Sequence, residues 1–305
     1  MQTIAETFPT LDTLETLSTQ CYDVLKIVSH YGSFHPIIQA KKVVELKIPF
    51  LPWINQRLDI GPTSCATSRN GCFFIAIGDM DVLRAYDANG SLIWSLDHKI
   101  HDPAQIVERD GELFVLAWDS TVSNTPWKQT RLLYVFDCRS GALKRQQHLE
   151  THEPFFKGHP KAMGILSTGE FVLTDWADKV VVFDKSGTFK SFFKMDEYSM
   201  VDSIYIHTDD TIWLTGSHLL DADIVVYNRD GRLLSTIDIG GDCHQVSITP
   251  IGEIFAATKK GIIVLNPDQT FSRIVTYGGT FRGVAVSSVH GRMIAGDHSR
   301  VAIFE

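Results

Sequence analysis

The chain repeats one short phrase along most of its length. The segment KVVVFDKSGTFKSFF, residues 179–193, predicts two strands joined by a tight turn, because apolar and β-branched residues flank an Asp and a Gly-containing turn. Versions of this phrase begin at Val82, Leu132, Ile224 and Ile262, and VAIFE starts a further copy at the end of the chain. The turn residues recur at intervals of 38 to 50 residues, at Asp87, Asp137, Asp184, Asn228 and Asn266.

A second strand pair precedes each phrase, as in SCATSRNGCFFIAIG at residues 64–78 and AMGILSTGEFVLTDW at residues 162–176. A unit of four strands (a, b, c and d in chain order) at this period is typical of a propeller blade. The sequence therefore predicts an all-β fold, a six-bladed β-propeller with four-stranded blades over residues 41–305. The last unit stops after strand c at Glu305. We expect KVVELKIPF, residues 42–50, to supply its fourth strand, since an unpaired edge at the ring seam is costly.

Residues 1–40 form a separate N-terminal extension in this interpretation. Apolar residues recur every three or four positions, which predicts an amphipathic helix over residues 12–30. Asp12 and Glu15 resemble a capping box, and Gly32 can end the helix. The apolar stripe has two possible roles, packing on the propeller or forming a homodimer or partner contact. The residues of the stripe are Leu14, Leu17, Cys21, Val24 and Val28.

The bulk properties exclude some classes of function. The chain is 44% hydrophobic and 21% charged, as in an ordinary globular protein, and its net charge of −8 argues against nucleic-acid binding. An RNA-binding module would need a basic face, and ATKKG at residues 257–261 is the nearest approach to one. The N-terminus lacks signal-peptide features, and no apolar run approaches the roughly 20 residues of a membrane helix. Five cysteines without a CxxC pair fit reduced thiols, so we expect a cytoplasmic protein without a membrane partner.

One stretch resembles a known repeat closely. Residues 159–193, HPKAMGILSTGEFVLTDWADKVVVFDKSGTFKSFF, resemble the NHL repeat of the NHL and SMP-30-like six-bladed propellers. Pro160 precedes strand a, Asp175 closes strand b, and VVVFDKSG forms the c–d hairpin. The similarity extends over roughly residues 42–305. It implies that strand a lines a central channel and that the d–a and b–c loops form the ligand-binding top face. Propellers of this type include hydrolases, lyases, RNA binders and scaffolds, so the resemblance does not select one function.

Alignment of the six strands a places four ionisable residues at one height just inside the channel mouth. They are Lys161, Asp202, His244 and Arg282. We expect them to be neighbours that change one another's pKa values. In a catalytic role His244 would act as a general acid or base oriented by Asp202. The two cations, Lys161 and Arg282, would then hold a carboxylate or phosphate. The alternative is a purely structural salt-bridge network.

A second set of residues is predicted to surround this ring on the top face as ligand-binding residues. It consists of His101, His159, Trp118, Trp127, Trp176, Asp175, His218 and Asp297. Long loops and aromatic side chains on one face favour ligand capture. As alternatives, Trp118 and Trp176 can seal one blade against the next, and the aspartates at the ends of strands b can be simple turn caps.

No cofactor is evident from the sequence. The resemblance implies zinc held by histidines at the start of strand a in NHL-type lyases, but only His244 stands in that column. SMP-30-like lactonases hold a divalent metal with Glu, Asn and Asp, and only Asp202 is available here. A divalent metal held by His101, His159 and His244 stays open. We expect Cys243 to lie in the core, because neighbouring side chains of a strand face opposite sides.

Two hypotheses for function remain. The first is a binding protein that engages a small anionic ligand, a peptide or a protein partner at the top face. The second is an enzyme, a hydrolase, lyase or isomerase, that uses the Lys161–Asp202–His244–Arg282 ring, with or without a metal. The sequence contains no GxSxG elbow, Walker A loop, HExxH pair or dinucleotide fingerprint, so the common catalytic motifs do not decide between them.

Overall fold

The structure is a computed structural model. It describes residues 42–46, 64–118, 131–149, 160–174, 179–195, 200–219, 222–277, 280–287, 291–297 and 301–305. The N-terminal extension with its predicted helix lies outside these residues. Within them, no helix has the length and apolar character needed to cross a membrane.

The described residues form 24 strands and one short 3-10 helix, Gly78–Met80. The strands are β1 (Lys42–Leu46), β2 (Ser64–Thr67), β3 (Phe73–Ile77), β4 (Val82–Tyr86), β5 (Leu92–Ser95), β6 (Gln105–Arg109), β7 (Glu112–Trp118), β8 (Arg131–Asp137), β9 (Leu143–His148), β10 (Ala162–Ile165), β11 (Phe171–Thr174), β12 (Lys179–Phe183), β13 (Phe189–Lys194), β14 (Met200–Ile206), β15 (Ile212–Leu219), β16 (Ala222–Tyr227), β17 (Leu233–Ile237), β18 (Cys243–Ile248), β19 (Ile254–Thr258), β20 (Gly261–Leu265), β21 (Phe271–Tyr277), β22 (Phe281–Ser287), β23 (Arg292–Asp297) and β24 (Val301–Phe304).

These strands make six antiparallel sheets of four strands each. Blades 1 to 5 are β2–β5, β6–β9, β10–β13, β14–β17 and β18–β21, and blade 6 contains β22, β23 and β24. The first strands of neighbouring blades contact each other all the way around, from β2 through β22 and back to β2. The protein is therefore a six-bladed β-propeller, as the repeat predicts, and the six strands a surround a central channel.

The ring closes within blade 6, next to the junction of blade 6 with blade 1, which we call the seam. The strand β1 is the fourth strand of blade 6 and pairs antiparallel with β24, with Leu46 opposite Val301. Residues 47–50 of the predicted closing segment lie outside the described residues. An apolar cluster also joins the two blades across the seam, with Phe73 and Ile75 packed together with Ile294 and Ile303. Apolar packing thus links blades 6 and 1 independently of the pairing of β1 with β24.

The repeated turn has the structure that its residues predict. In blade 3, Asp184 Oδ1 accepts hydrogen bonds from the backbone N–H groups of Ser186 and Thr188 at 2.8 and 2.9 Å. Gly187 adopts a φ of +81°, a conformation that glycine adopts without strain. The turn of blade 5 has Gln269 at this position, with a φ of +68°. In that turn the backbone carbonyl of Asn266 accepts from Gln269 N–H at 2.8 Å, and Asp268 Oδ1 accepts from Thr270 N–H at 3.0 Å, so other contacts replace the glycine turn.

Two buried glutamines cross the channel in the middle of the propeller. Gln105 on blade 2 and Gln245 on blade 5 come from opposite sides of the ring and are only 2% and 6% exposed. The amide of Gln105 reaches blades 3 and 4, because its Oε1 accepts from Met163 N–H at 2.8 Å and its Nε2 donates to the carbonyl of Ile204 at 2.8 Å.

The amide of Gln245 forms the matching contacts on the other side. Its Oε1 accepts from the N–H groups of Cys65 on blade 1 and Val284 on blade 6, at 3.0 and 3.1 Å. Its Nε2 donates to the carbonyl of Cys65 at 2.9 Å. We call Gln105, Gln245 and their partners the amide layer. Strand a has a partner strand on one side only, so the amide layer supplies hydrogen bonds that its inner edge otherwise lacks.

The other residues at this level are small, which leaves room for the two amides. They are Ser64, Ala162, Ser203 and Gly283 in blades 1, 3, 4 and 6. A Cβ added to Gly283 would lie 2.7 Å from Cys65 Sγ and 3.4 Å from Gln245 Oε1. The cross-section of the channel is thus filled by two large amides and four small residues, and the layer separates the mouth of the channel from its far end.

We predict that Gln245→Leu destabilises the fold by about 2–4 kcal/mol, because it leaves two buried backbone N–H groups without an acceptor. The control is Gln146→Leu, the same substitution at an exposed position of β9, which should leave stability nearly unchanged. Urea unfolding followed by circular dichroism measures both. Equal stability of the two variants would show that the amide layer does not hold the ring together.

Candidate functional site at the channel mouth

Three consecutive blades carry a β-bulge at the same place, immediately before the amide layer. The register of strand a against strand b shifts between Val201 and Ser203, between Cys243 and Gln245, and between Phe281 and Gly283. The extra residues are Asp202, His244 and Arg282. A bulge turns an additional side chain from its alternating position, so the residue before the amide layer and the layer residue itself both reach the channel region.

Gly216 makes room for the bulge of blade 4. It lies on β15 opposite Val201, and a Cβ at this position would lie only 1.9 Å from the carbonyl oxygen of Met200. No side chain fits in that space without movement of the backbone. The glycine is therefore required where the two strands approach each other closely at the site.

Asp202 connects two of the predicted site residues. Lys161 Nζ lies 2.5 Å from Asp202 Oδ1, and His244 Nδ1 lies 2.9 Å from Asp202 Oδ2. The three side chains come from blades 3, 4 and 5 and are partly buried, with His244 the most enclosed at 16% exposure. The structure thus brings Lys161, Asp202 and His244 into one hydrogen-bonded chain, which we call the mouth triad. Arg282 occupies the corresponding place on blade 6, next to the blade of His244.

The geometry fixes the proton on His244. An ionised carboxylate only accepts hydrogen bonds, so Nδ1 of the imidazole carries the proton that is donated to Asp202. Nε2 is buried and has no hydrogen-bond partner among the described residues. Thr174 lies beside Lys161, because its carbonyl accepts from Lys161 N–H at 3.0 Å. Its Oγ1 is likewise buried and has no hydrogen-bond partner among the described residues. Two buried polar atoms near Asp202 and Lys161 thus have no hydrogen-bond partner within the described part of the chain.

The surroundings of Asp202 act on its pKa in opposite directions. Burial raises the pKa of this carboxyl, but the hydrogen bond from His244 and the charge and hydrogen bond of Lys161 outweigh burial, and the pKa is lowered from 3.8. Asp202 is therefore ionised at neutral pH and remains a hydrogen-bond acceptor for the imidazole.

The second set of predicted residues is described only in part. His101 Nδ1 lies 3.0 Å from Asp81 Oδ2, and this histidine is largely exposed in the loop before β6. Asp297 is buried at the end of β23. Trp118 and His218 lie within β7 and β15, but their side chains lie outside the described part of the chain. The remaining members, His159, Trp127, Trp176 and Asp175, fall outside the described residues altogether.

Metal binding finds no support among the described side chains, because no group of three or more His, Cys, Asp or Glu residues is placed to hold an ion there. The proposed triple of His101, His159 and His244 is not tested as a whole, since His159 lies outside that range. Cys243 is fully buried, and burial raises the pKa of its thiol well above the usual value. Cys243 therefore lies in the core, as its place next to His244 in the strand predicts.

The alignment of strands a identifies the mouth triad, but it misses the amide layer one residue further along. Gln105 and Gln245 stand at the same register in blades 2 and 5, and each is followed by a buried apolar residue, Ile106 and Val246. A polar residue in a buried strand needs a hydrogen-bond partner. The two glutamines therefore indicate, from the sequence alone, hydrogen bonds across the channel.

Comparison with solved structures supports the fold. The chain is similar to a protein of unknown function from Bacteroides caccae, with a TM-score of 0.56 and 10% identity, over 73% of this chain and 85% of that chain. It is also similar to the WD40 β-propeller domain of Doa1, with a TM-score of 0.55 and 13% identity, over 79% of this chain and 78% of that chain. No protein-family model and no curated protein matches the sequence. At these identities the likeness shows the propeller fold alone, and the NHL and SMP-30-like relationship stays a prediction.

We predict that the pKa of Asp202 measured by carboxyl 13C NMR lies below 3.8 and rises in His244→Gln and in Lys161→Met, because burial is then less opposed. A lowered pKa means that the ionised carboxylate stabilises the fold above about pH 4. This contribution is lost as the pH falls through the folded-state pKa. The internal control is Asp184 in the c–d turn of blade 3, whose pKa is lowered by hydrogen bonds from Ser186 and Thr188 and not by Lys161 or His244. A pKa of Asp202 that does not respond to either variant would contradict the described contacts.

We also predict that Gly216→Ala destabilises the protein by about 1–3 kcal/mol, because its Cβ collides with the backbone at the bulge. Gly241→Ala is the control, since the nearest atom to its Cβ is the flexible Lys260 side chain at 3.5 Å. Thermal unfolding compares the two variants. If Gly216→Ala is as stable as the control, the close approach at the bulge is not a constraint.

Proposed function

We propose that the protein binds a small anionic molecule, or the carboxylate of a peptide, at the channel mouth. The observation that supports this most is the mouth triad, in which His244 Nε2 is buried and has no hydrogen-bond partner among the described residues. Propellers commonly act as binding scaffolds, and in this one a cation, a carboxylate and an imidazole converge where the strands a begin.

Lys161 is the cation that best supports anion binding. Its side chain is 37% exposed, and it shares the carboxylate of Asp202 with His244. Arg282 lies on blade 6 beside the buried Asp297, because Phe281 pairs with Asp297. Partial burial strengthens the attraction of these groups for a ligand compared with the open surface.

A ligand at the mouth would meet His244 through Nε2, because Nδ1 donates to Asp202.

Isothermal titration tests the proposal with three probes: inorganic phosphate, malonate and N-acetylglycine. The last probe represents a peptide carboxylate. We expect at least one of them to bind. We expect Lys161→Met to weaken binding by about tenfold or more, and His244→Gln to weaken it as well.

The control for the charge substitution is Lys144→Met on the outer strand β9, which should bind as the unchanged protein does. Equal weakening by Lys144→Met would mean that the anion responds only to overall charge. Absence of binding for all three probes would refute a site for small anions at the mouth.

Acid–base catalysis is the second candidate function, and the orientation of His244 by Asp202 favours it. A neutral imidazole held through Nδ1 presents Nε2 as a general base, while Lys161 and Arg282 would hold an anionic substrate. Incubation of a bound probe in D2O, followed by NMR, separates the two functions for that probe. Exchange or conversion that disappears in His244→Gln indicates an enzyme, whereas an unchanged probe indicates binding only.

A further inference from the structure

The end of the channel where the strands a finish contains a cavity of about 560 Å³. It is lined by a–b turns of several blades and, on the inner side, by Gln105 and Gln245 of the amide layer. We call it the turn-end cavity. Its volume is within the usual range for small-molecule pockets. The residues of the mouth triad do not belong to its described lining, because the amide layer lies between the two.

Small residues of the strands a leave this space open. Two positions beyond the amide layer, four of the six blades carry a small side chain or none. These residues, all in the lining of the cavity, are Ala66, Gly164, Ser247 and Ala285. Blades 2 and 4 carry Val107 and Tyr205 at this level. The channel is therefore filled by glutamines at the amide layer and is open directly next to it.

Half of the residues that line the cavity are polar or charged, and the charges have both signs. Asp110 lies 3.5 Å from Arg69 and 3.6 Å from Arg109, so two cations share one carboxylate. Glu108 and Asp210 are the other two carboxylates of the lining. An apolar occupant would leave these groups without partners, whereas an anion would meet three carboxylates and a cation two arginines. The mixture favours a neutral molecule that both donates and accepts hydrogen bonds.

The carboxylates of the lining have acceptor capacity to spare. Glu108 accepts from Gly111 N–H at 3.0 Å, and Asp210 accepts from the backbone N–H of Ser167 at 2.5 Å and from the hydroxyl of the same residue. The donors are neutral in each case, and an ionised carboxylate offers about four acceptor positions. A hydroxyl group of a ligand can therefore donate to either carboxylate in a charge-assisted hydrogen bond.

The lining also supplies donors and an aromatic ring. Ser247 Oγ accepts from Val286 N–H at 3.1 Å, a bond that does not use its hydroxyl proton. The side chain of Arg69 is 83% exposed, and a guanidinium carries five N–H donors. Tyr205 Oη donates to the carbonyl of Ile248 at 3.3 Å, which holds the phenol in place while its ring offers an apolar face.

We propose that the turn-end cavity binds an uncharged molecule rich in hydroxyl groups, a cyclic polyol or a sugar. Hydroxyls of this ligand donate to Glu108 and Asp210 and accept from Arg69 and Ser247, and its C–H groups pack on the ring of Tyr205. The ligand rests against the amide layer, so the site is independent of the proposed anion site on the other side of that layer.

Saturation-transfer NMR with the full chain tests the proposal with four neutral probes: D-glucose, N-acetyl-D-glucosamine, sucrose and myo-inositol. Putrescine and toluene represent a cationic and an apolar ligand. We expect at least one neutral probe to bind more tightly than putrescine or toluene does. In methyl NMR it should shift the signals of Val107, Ile206 and Ile248, which line the cavity, and leave that of the exposed Ile93 on β5 unchanged.

Asp210→Asn should weaken binding of that probe by about tenfold. Asp210 has a φ of +64°, a conformation that Asn adopts as readily as Asp, so the turn is retained. The matched control is Asp230→Asn in the exposed c–d turn of blade 4, which should bind as the unchanged protein does. Arg69→Met should also weaken binding of a neutral probe, whereas it would strengthen binding of a cation.

His244→Gln should leave binding of the neutral probe unchanged, so this test succeeds or fails independently of the proposed anion site. Four outcomes would each overturn the proposal. They are no binding of any neutral probe, methyl shifts confined to outer positions such as Ile93, tighter binding of putrescine or toluene, and equal affinity of Asp210→Asn and Asp230→Asn.

Discussion

The inner edge of strand a is the constraint on which the rest of this propeller depends. Each strand a pairs with strand b on one side and faces the channel on the other, so its backbone groups there need partners. Gln105 and Gln245 supply several of them by reaching across to blades 3 and 4 and to blades 6 and 1. The mouth triad is built on this arrangement, because Asp202 and His244 directly precede the layer residues Ser203 and Gln245.

Most of the fold could be predicted because its determinants are local. Asp184 and the residues that donate hydrogen bonds to it are at most four positions apart. The turn can therefore be predicted from a short stretch of sequence, and its recurrence predicts the blades. The mouth triad could be predicted from the common register of the strands. Two features could not be predicted in this way: the bulges at Asp202 and His244, and the contact of Gln245 with Cys65, which is 180 residues away. Both depend on how closely distant strands approach each other.

The two ends of the channel differ in chemistry although the same strands form both. At the mouth, bulges bring charged side chains inward, and Asp202 is shared by Lys161 and His244. At the other end, where the a–b turns lie, isoleucine and valine stand among polar and charged side chains, and Ser247 Oγ accepts from Val286 N–H. The resemblance to NHL and SMP-30-like propellers directs attention to the first end only, so the second emerges from the geometry.

The reach of a glutamine side chain has a consequence for the evolution of this chain. Repeat proteins readily gain or lose units by duplication. Here the amide of Gln105 must reach from blade 2 to blades 3 and 4, and the amide of Gln245 from blade 5 to blades 6 and 1. A seventh blade would widen the channel beyond that reach, and a lost blade would remove one set of partners. Gain or loss of a blade would therefore have to be accompanied by new partners for Gln105 and Gln245, whereas a substitution on an outermost strand carries no such requirement.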